Sequence, residues 1–488
     1  MKLILKGHDF EYEIKMLLNL YFPNEKYEIV DEIIDKDNTI ESIITNNYYK
    51  VSYYEEGVCK FTSSLNKSDI EKLPTEPIER RRESKKIIKK LVNNVAYKIT
   101  NKKQPWGILT GIRPTKIVFD LIDKYGWDKE KIKLILREKY QICEEKINLM
   151  MEIVENEINI LKTNTNNEIN IYIGIPFCPT KCLYCSFTSY PIDKWKDHVN
   201  DYLNALSTEM EYVSKKLLVN KKVKTIYVGG GTPTSLNAEQ LEFLMTMINK
   251  NFDVNNIEEF TVEAGRPDTI NIDKLKVLKR YGVSRISINP QTMNDKTLQI
   301  IGRRHSVEDV YYAYNMAREV GFNNINMDII LGLPGESYID VKHTLDEIKN
   351  LKPESLTVHT MAVKRASKLK RTVEMYHLVE SKEIDHMIKM VYHEAKSIGL
   401  KPYYMYRQKN MVGNYENVGY SIQGKECIYN VIIIEEAQTI LALGAGAVSK
   451  IVFPKENRIE RIENVKDVHN YINRIDEMID RKRKFFHP

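Results

Sequence analysis

Apolar and polar positions follow two different rhythms in the first part of the chain. Residues 49–64, YKVSYYEEGVCKFTSS, alternate in short runs, which is typical of strands. From Arg80 to Leu161 apolar residues recur at helical spacing with charges opposite, as in ERRRESKKIIKKLVNNVAYKI and KEKIKLILREKY. The basic run that starts at Arg80 is interpreted as a solvated helix face. The pattern predicts a small α+β domain over residues 1–75 and a helical segment over 76–162.

From residue 168 onward, short β-rich runs alternate with longer helical patterns such as SVEDVYYAYNMAREVG. A repeated order of strand, helix and strand predicts parallel pairing with right-handed crossovers. The fold class is therefore α/β, a partial (β/α)6 barrel over residues 168–365 with its site at the carboxyl ends of the strands. The predicted strands are IYIGI (171–175), TIYVG (225–229), EFTVEA (259–264), RISIN (285–289), NINMDII (324–330) and SLTVHTM (355–361).

Two stretches flank the predicted barrel. The polar segment TNTNNE, residues 163–168, is predicted to be a linker between the two halves of the chain. Residues 366–488 are predicted to form a C-terminal α+β extension, and its basic tail DRKRKFFHP is expected to be frayed.

Length and charge narrow the classes of function. A chain of 488 residues is too long for one ordinary core. Its 73 Lys and Arg against 67 Asp and Glu give a net charge of +6, and no basic run is interleaved with aromatic residues as in a nucleic-acid groove. No run approaches a membrane span, and MKLILKGHDFEYEIK becomes charged too early for a signal peptide. Six cysteines in such a chain predict a reducing, cytoplasmic location.

Three cysteines form a compact motif directly after the first strand of the predicted barrel. Cys178, Cys182 and Cys185 are spaced as C-x3-C-x2-C. An iron–sulfur cube held by three thiolates keeps one iron open for another ligand, such as the amine and carboxylate of a small molecule. A structural zinc site is the alternative, but it needs a fourth ligand, and no second C-x-x-C or His pair is nearby. The remaining cysteines are isolated, as small buried residues often are: Cys59, Cys143 and Cys427.

The ends of the next strands also have unusual residues. The second strand runs into GGGTP, residues 229–233, where glycines let the backbone approach a ligand closely. Glu263 ends the third strand, and Gln291 follows the fourth. A buried carboxylate needs hydrogen-bond donors, which ribose hydroxyls or an ammonium group would supply. The alternative is a structural salt bridge of Glu263 with Arg266 or Arg285.

The cysteine motif, with an aromatic residue before its last cysteine, resembles the signature of radical S-adenosylmethionine enzymes. From about Tyr172 to Ser449 the chain resembles the oxygen-independent coproporphyrinogen III oxidase family, and WGILTGIRPTK and YRQKN are similar to its HemZ branch. The resemblance implies a [4Fe–4S] cluster on the three cysteines and S-adenosylmethionine on the open iron. It also implies that a set of residues binds S-adenosylmethionine: Tyr172, Tyr184, Gly230, Gly231, Thr232, Glu263, Gln291, Arg303, Asp328 and Ala362.

The family's reaction is implied by the same resemblance. The reduced cluster donates one electron to S-adenosylmethionine, and the resulting 5′-deoxyadenosyl radical removes a hydrogen atom from the β-carbon of a propionate. Loss of carbon dioxide and one further electron leaves a vinyl group, and two such steps convert coproporphyrinogen III to protoporphyrinogen IX. The implied partners are this tetrapyrrole and a reducing electron donor such as flavodoxin or ferredoxin.

Two arginines are candidates for the substrate carboxylates. Arg113, in QPWGILTGIRPTK, offers a planar fork to a propionate, although buried aromatic packing is an equal interpretation of that segment. Arg407 lies in a tyrosine-rich stretch that suits a flat tetrapyrrole and also suits a domain interface.

Two departures from the family pattern keep other functions open. Phe187 stands where the oxidases have a fourth cysteine, and CIYNVIIIEE lacks the His and Trp of the motif that related haem chaperones carry there. The alternatives are another radical reaction on a tetrapyrrole, such as methyl transfer with ring opening, and a non-catalytic haem-binding chaperone, for which His359 remains a possible haem ligand.

Overall fold

The computed structural model describes residues 1–23, 25–33, 36–70, 73–165, 167–362, 367, 369, 379–408, 415–456 and 458–486. The chain divides into two compact units, Met1–Glu152 and Ile153–Pro488. No helix in the described part of the chain is both long enough and apolar enough to cross a bilayer.

The first unit is a five-stranded sheet covered by helices. The sheet has the order β2-β1-β3-β4-β5, and β4 and β5 form the antiparallel hairpin that the alternation over 49–64 predicted. The long helix α2 begins at a proline, and the Glu76 side chain accepts hydrogen bonds from the Ile78 and Glu79 amides there. The elements are β1 (Lys2–Lys6), α1 (Glu11–Leu18), β2 (Glu28–Ile29), β3 (Thr39–Ile44), β4 (Tyr48–Glu55), β5 (Val58–Asn66), α2 (Pro77–Thr100), α3 (Thr115–Tyr125), α4 (Lys129–Tyr140) and α5 (Glu144–Leu161), whose last turns enter the second unit.

The second unit is built on one large mixed sheet. Its strand order is β14-β15-β13-β12-β11-β10-β9-β6-β16-β17-β18. The strands are β6 (Glu168–Ile175), β7 (Phe177–Cys178), β8 (Tyr190–Pro191), β9 (Lys222–Gly230), β10 (Glu259–Glu263), β11 (Arg285–Ser287), β12 (Ile325–Leu331), β13 (Ser355–Thr360), β14 (Lys401–Arg407), β15 (Glu416–Ser421), β16 (Ile440–Leu443), β17 (Val448–Phe453) and β18 (Arg458–Glu463). The helices are α6 (Val199–Tyr212), α7 (Ala238–Asn251), α8 (Ile272–Arg280), α9 (Asp295–Ile300), α10 (Val307–Glu319), α11 (Tyr338–Leu351), α12 (Ser381–Ser397), α13 (Ile428–Glu435), α14 (Val468–Asn473) and α15 (Ile475–Phe486).

All six predicted barrel strands are confirmed, and they pair in parallel in chain order from β6 to β13. Strands such as β12 are buried almost throughout because helices cover a parallel sheet. The fold is thus the expected partial (β/α) barrel, extended by β16 as a further parallel strand beside β6 and by the antiparallel strands β14 and β15. In hydrogen-bonded order the described sheet is open, with β14 and β18 at its edges.

The C-terminal tail differs from its prediction. Residues up to Phe486 form the ordered helix α15, and Lys482 within the tail is fully buried. The expectation of a frayed tail is therefore wrong over 480–486. A lysine inside a basic run resembles a solvated residue in sequence, and only its distant partner shows why it is buried.

Candidate active site

The cysteine loop begins at the carboxyl end of β6, and the chain around it fixes its position. The two-residue strands β7 and β8 pair in parallel and close the loop at its base. The Leu183 amide donates to the Ile301 carbonyl at 3.0 Å, and the Thr180 hydroxyl donates to the Gly302 carbonyl at 3.1 Å. Leu183 also packs in a buried apolar cluster with Leu298 and Ile301. Hydrogen bonds to main-chain carbonyls and apolar packing thus hold the loop against the segment that follows α9.

One cavity at the carboxyl ends of the parallel strands brings most of the predicted site residues together. Cys178, Cys182 and Cys185 all line it. The same cavity is lined by nine of the residues that the resemblance assigned to S-adenosylmethionine: Tyr184, Gly230, Gly231, Thr232, Glu263, Gln291, Arg303, Asp328 and Ala362.

Tyr172 is the predicted cofactor residue outside that lining. Its ring stacks on Tyr227 and Tyr429 with centroid distances of 6.2 Å each, and it lines a smaller neighbouring cavity with Gly230. Tyr172 therefore lies behind the glycine run, where it packs against the backbone of the site.

The number and placement of the thiols indicate which inorganic group this site can hold. Among the described residues, no three His, Cys, Asp or Glu side chains are grouped closely enough to hold a single metal ion. In a cubane held by three cysteines each thiolate binds a different iron, so the sulfurs stand farther apart than around one tetrahedral ion. Three thiols that line one cavity match the three irons that such a cluster presents to the protein.

Burial affects the first of these thiols strongly. It raises the pKa of the Cys178 thiol to about 11, although the Thr232 hydroxyl 3.4 Å from its sulfur acts in the opposite direction. A thiol of this kind stays protonated at neutral pH until a metal ion takes the place of its proton.

The glycine run turns where a side chain would not fit. The Gly231 amide donates to the Ile175 carbonyl at 2.8 Å, and the Thr232 amide donates to the Phe177 carbonyl at 2.7 Å. A Cβ atom on Gly231 would lie 2.5 Å from the Phe177 carbonyl oxygen, and Gly230 has a φ of +109°. These two amides are used within the protein, so the loop can offer a ligand its carbonyl oxygens.

Glu263 lies at the end of β10 with its carboxyl group in the cavity. Burial raises its pKa to about 7, while the Tyr227 hydroxyl opposes this shift by donating to Oε1 at 2.6 Å. The salt bridge that was the alternative is not formed: among the described residues Glu263 has no ion-pair partner, and Arg266 pairs with Asp268. The carboxyl group is thus free to accept donors from a ligand.

Gln291 and Asp328 face the cavity from adjacent strands. Gln291 has a φ of +70°, a left-handed conformation that is unfavourable for this residue, and main-chain bonds to Asp328 and Ile330 maintain it. Burial acts to raise the pKa of Asp328, but hydrogen bonds from His359 and Asn326 outweigh it, so the pKa lies below its usual value. Gln291, with its strained backbone, and the ionised carboxylate of Asp328 therefore both line the cavity.

The two neighbouring arginines of the IGRRH turn are clearly distinguished. Arg303 is buried, its Nη1 donates to the carbonyls of Gly265 and Asn289 at 2.9 Å each, and its Nη2 donates to the Tyr184 hydroxyl at 3.2 Å. Arg304 is exposed. Of these two arginines, Arg303 is thus the one that supplies positive charge to the cavity.

The predicted substrate residues do not line this cavity. Arg407 is buried at the end of β14, where burial lowers the pKa of its guanidinium group to about 10. Its neighbours Tyr406 and Gln408 line the cavity, because successive side chains of a strand point to opposite faces. Arg113 lies in the first unit, in the turn before α3, and Lys409 of the same tyrosine-rich stretch lies outside the described residues. The substrate roles of Arg113 and Arg407 stay predictions.

Sequence reasoning missed several lining residues. Asn289 lies two residues before Gln291 in the segment that follows β11, and both residues line the cavity. Tyr406 lies in β14, Gln408 follows it, and Asn417 lies in β15, which pairs antiparallel with both β13 and β14. Alternation in the sequence predicts such strands but not the strand with which they pair.

Comparisons with known proteins agree with this geometry. The model of the radical SAM superfamily matches residues 172–348. The chain is 45% identical over 412 residues to the oxygen-independent coproporphyrinogen-III oxidase-like protein HemZ of Bacillus subtilis, a match that covers 82% of each chain. It is 43% identical over 193 residues to the heme chaperone HemW of the same organism, covering 39% of this chain and 50% of HemW.

A solved structure supports the fold. The coproporphyrinogen III oxidase HemN of Escherichia coli superimposes with a TM-score of 0.50 at 22% identity, covering 66% of this chain and 72% of that chain. At this identity the likeness concerns the fold.

Proposed function

Because this chain belongs to the HemZ group of oxygen-independent coproporphyrinogen III oxidase-like proteins, within the radical SAM superfamily, we propose that it decarboxylates the propionates of coproporphyrinogen III without oxygen. Enzymes of this superfamily use a [4Fe–4S] cluster and S-adenosylmethionine. The observation that supports the proposal most strongly is the single cavity that collects three thiols and the polar residues of successive strand ends.

Each set of residues has a distinct task in this proposal. When bound, the cluster and S-adenosylmethionine supply one-electron cleavage of a sulfonium and a carbon radical that removes a hydrogen atom. Cys178, Cys182 and Cys185 would hold the cluster. Glu263 and Asp328 would accept hydrogen bonds from hydroxyl or ammonium donors of the cofactor, and Arg303 would balance its carboxylate. The remaining lining residues would keep water away from the reacting carbon.

Removal of one hydrogen atom does not complete the reaction, because carbon dioxide and one electron must also leave the substrate. After a hydrogen atom leaves the β-carbon of a propionate, the carbon–carbon bond to the carboxylate breaks, carbon dioxide leaves and one electron passes to an external acceptor. A vinyl group remains. The protein's task is to place the β-carbon at the cavity, and Tyr406 and Gln408 are on the wall that β14 contributes.

Anaerobic turnover tests the proposal. Reconstituted protein with a chemical reductant, S-adenosylmethionine and coproporphyrinogen III should release 5′-deoxyadenosine and give a vinyl product in mass spectrometry. Cys182→Ala should do neither. Cys59→Ala, an exposed cysteine of the first unit, is the matched control and should behave as the wild type. If 5′-deoxyadenosine were released normally but the porphyrinogen stayed intact, the proposed substrate would be wrong. The proposed radical cleavage of S-adenosylmethionine would still be supported.

The match to HemW supports a second candidate, a haem-binding chaperone. Such a protein would give a stable haem absorption band and leave coproporphyrinogen unchanged in the same assay. The match to HemZ covers 82% of this chain at 45% identity, whereas the match to HemW of Lactococcus lactis covers 62% at 30% identity, which favours the oxidase-like group.

A further inference from the structure

Arg266 lies directly behind the cysteine loop with its guanidinium group in a fixed position. The residue is only 3% exposed. Its Nε donates to Asp268 Oδ1 at 2.9 Å and its Nη2 donates to Asp268 Oδ2 at 2.8 Å. A bidentate pair of this kind sets both the plane and the direction of the guanidinium group.

The third nitrogen of the group points into the loop. Nη1 donates to the Thr180 hydroxyl at 3.1 Å, approaches the Thr180 carbonyl at 3.4 Å and lies 3.6 Å from the sulfur of Cys182. Donors stand farther from sulfur than from oxygen because the sulfur atom is larger. Asp268 thus aims one N–H donor at a thiol that is itself buried.

This contact distinguishes Cys182 from Cys178, the first cysteine of the motif. The sulfur of Cys178 has the Thr232 hydroxyl beside it at 3.4 Å, whereas Cys182 has a cationic donor. Reduction adds negative charge to a cluster and its thiolates, so donors to those sulfurs stabilise the reduced form and raise the reduction potential.

We propose that Arg266 is a positioning residue that hydrogen-bonds the Cys182 thiolate and raises the reduction potential of the cluster. Asp268 holds Arg266 in place and offsets much of its charge, so the direction of the N–H group matters more than the net charge. This inference rests on the proposed cluster site and is independent of the identity of the substrate.

A potentiometric titration of the reconstituted protein, followed by the electron paramagnetic resonance signal of the reduced cluster, tests the inference. Arg266→Met should keep a wild-type iron content. Its cluster should be harder to reduce: the equilibrium constant for reduction should fall about tenfold, which lowers the potential by about 59 mV for one electron. Arg304→Met removes an equal charge from the exposed neighbouring turn and should leave the potential near the wild-type value.

A second variant keeps the test decisive. If Arg266→Met does not retain iron, Arg266→Lys retains the charge but not the fork, and it should show a smaller shift in the same direction. Equal potentials in the wild type and whichever Arg266 variant retains iron would overturn the inference, as would an equal shift in Arg304→Met. Loss of iron from both Arg266 variants would also overturn it, because a structural role would then suffice. A wild-type protein without a cluster would instead contradict the proposed function.

Discussion

Glu263 combines burial with a role as hydrogen-bond acceptor, and this combination makes the site sensitive to pH. Burial raises its pKa to about 7, so the carboxyl group takes up a proton as the pH falls through this range. Ligand donors favour the ionised carboxylate, so binding below that pH must first remove the proton.

The affinity for S-adenosylmethionine should therefore increase as the pH rises through about 7. Glu263→Gln should lose this part of the pH dependence and bind roughly tenfold or more weakly at pH about 8, since a hydrogen bond to a charged group contributes about 1.5–3 kcal/mol. Equilibrium dialysis of the reconstituted protein across this range measures both effects. The same pH slope in both proteins would show that another group is responsible.

Gly231 is the position of the site at which a single methyl group should matter most. In Gly231→Ala the new Cβ would meet the backbone oxygens of Phe177 and Ile175 at 2.5 and 3.0 Å, and these oxygens already accept hydrogen bonds from the Thr232 and Gly231 amides. We expect a loss of about 1–3 kcal/mol in the free energy of unfolding and weaker cofactor binding.

Denaturant unfolding and a binding titration measure these losses. Gly111→Ala is the matched control, because a Cβ there meets nothing within 4 Å and the backbone is not left-handed. Wild-type stability and binding in Gly231→Ala would argue against the tight approach of the glycine run to the cysteine loop.

At the level of single residues, the sequence predicts those whose chemistry is visible in the motif. The three cysteines and Glu263 follow strand ends directly, so topology brings them to one cavity. Tyr172 and Arg407 depend instead on which face of a strand each side chain takes, and neither lines the cavity. Arg266 stood in the sequence only as a possible salt-bridge partner of Glu263, because its contact with Cys182 joins residues 84 positions apart.

At the level of elements, α15 is attached to α6 by a buried ion pair. Lys482 Nζ donates to Glu209 Oε1 at 2.6 Å, and both side chains are 0% exposed. The Glu209 carboxylate also accepts hydrogen bonds from the Gly444 amide, the Asn464 side-chain amide and the Tyr471 hydroxyl. Its buried charge is therefore well supplied with donors. The network joins α15 to the turn after β16. β16 pairs with β6, the strand that leads into the cysteine loop.

Removal of Lys482 should show how much the buried ion pair contributes to stability. Lys482→Met leaves the Glu209 carboxylate buried without its counter-ion, and we expect a loss of about 3–5 kcal/mol in the free energy of unfolding. Lys484→Met, on the exposed side of the same helix, should change it by less than about 0.5 kcal/mol. Urea unfolding of both variants compares them, and equal stabilities would show that the pair does not anchor α15.

The alternation of strands and helices predicted the six parallel strands because each βαβ unit is local in sequence. It did not predict the pairing of β16 with β6, nor that of β15 with β13, because these pairings join distant segments. Strand type is encoded locally, whereas a strand's neighbour depends on the whole fold.

At the level of the whole molecule, two compact units share one chain, and the proposed chemistry belongs to the second. The match to HemZ covers 82% of this chain and extends well beyond the 172–348 segment that defines the radical SAM superfamily. Because the match to HemW of Bacillus subtilis covers only 39% of this chain, we expect residues outside that segment to take part in the choice of tetrapyrrole.

The proposed function requires that three thiols hold a cluster whose remaining iron is open to S-adenosylmethionine. Iron and sulfide analysis, combined with electron paramagnetic resonance of the anaerobically reduced protein before and after addition of S-adenosylmethionine, measures this. We expect a [4Fe–4S] signal that changes on addition of the cofactor, is absent from Cys182→Ala and persists in Cys59→Ala. Zinc in place of iron, or a cluster signal that the cofactor leaves unchanged, would contradict it.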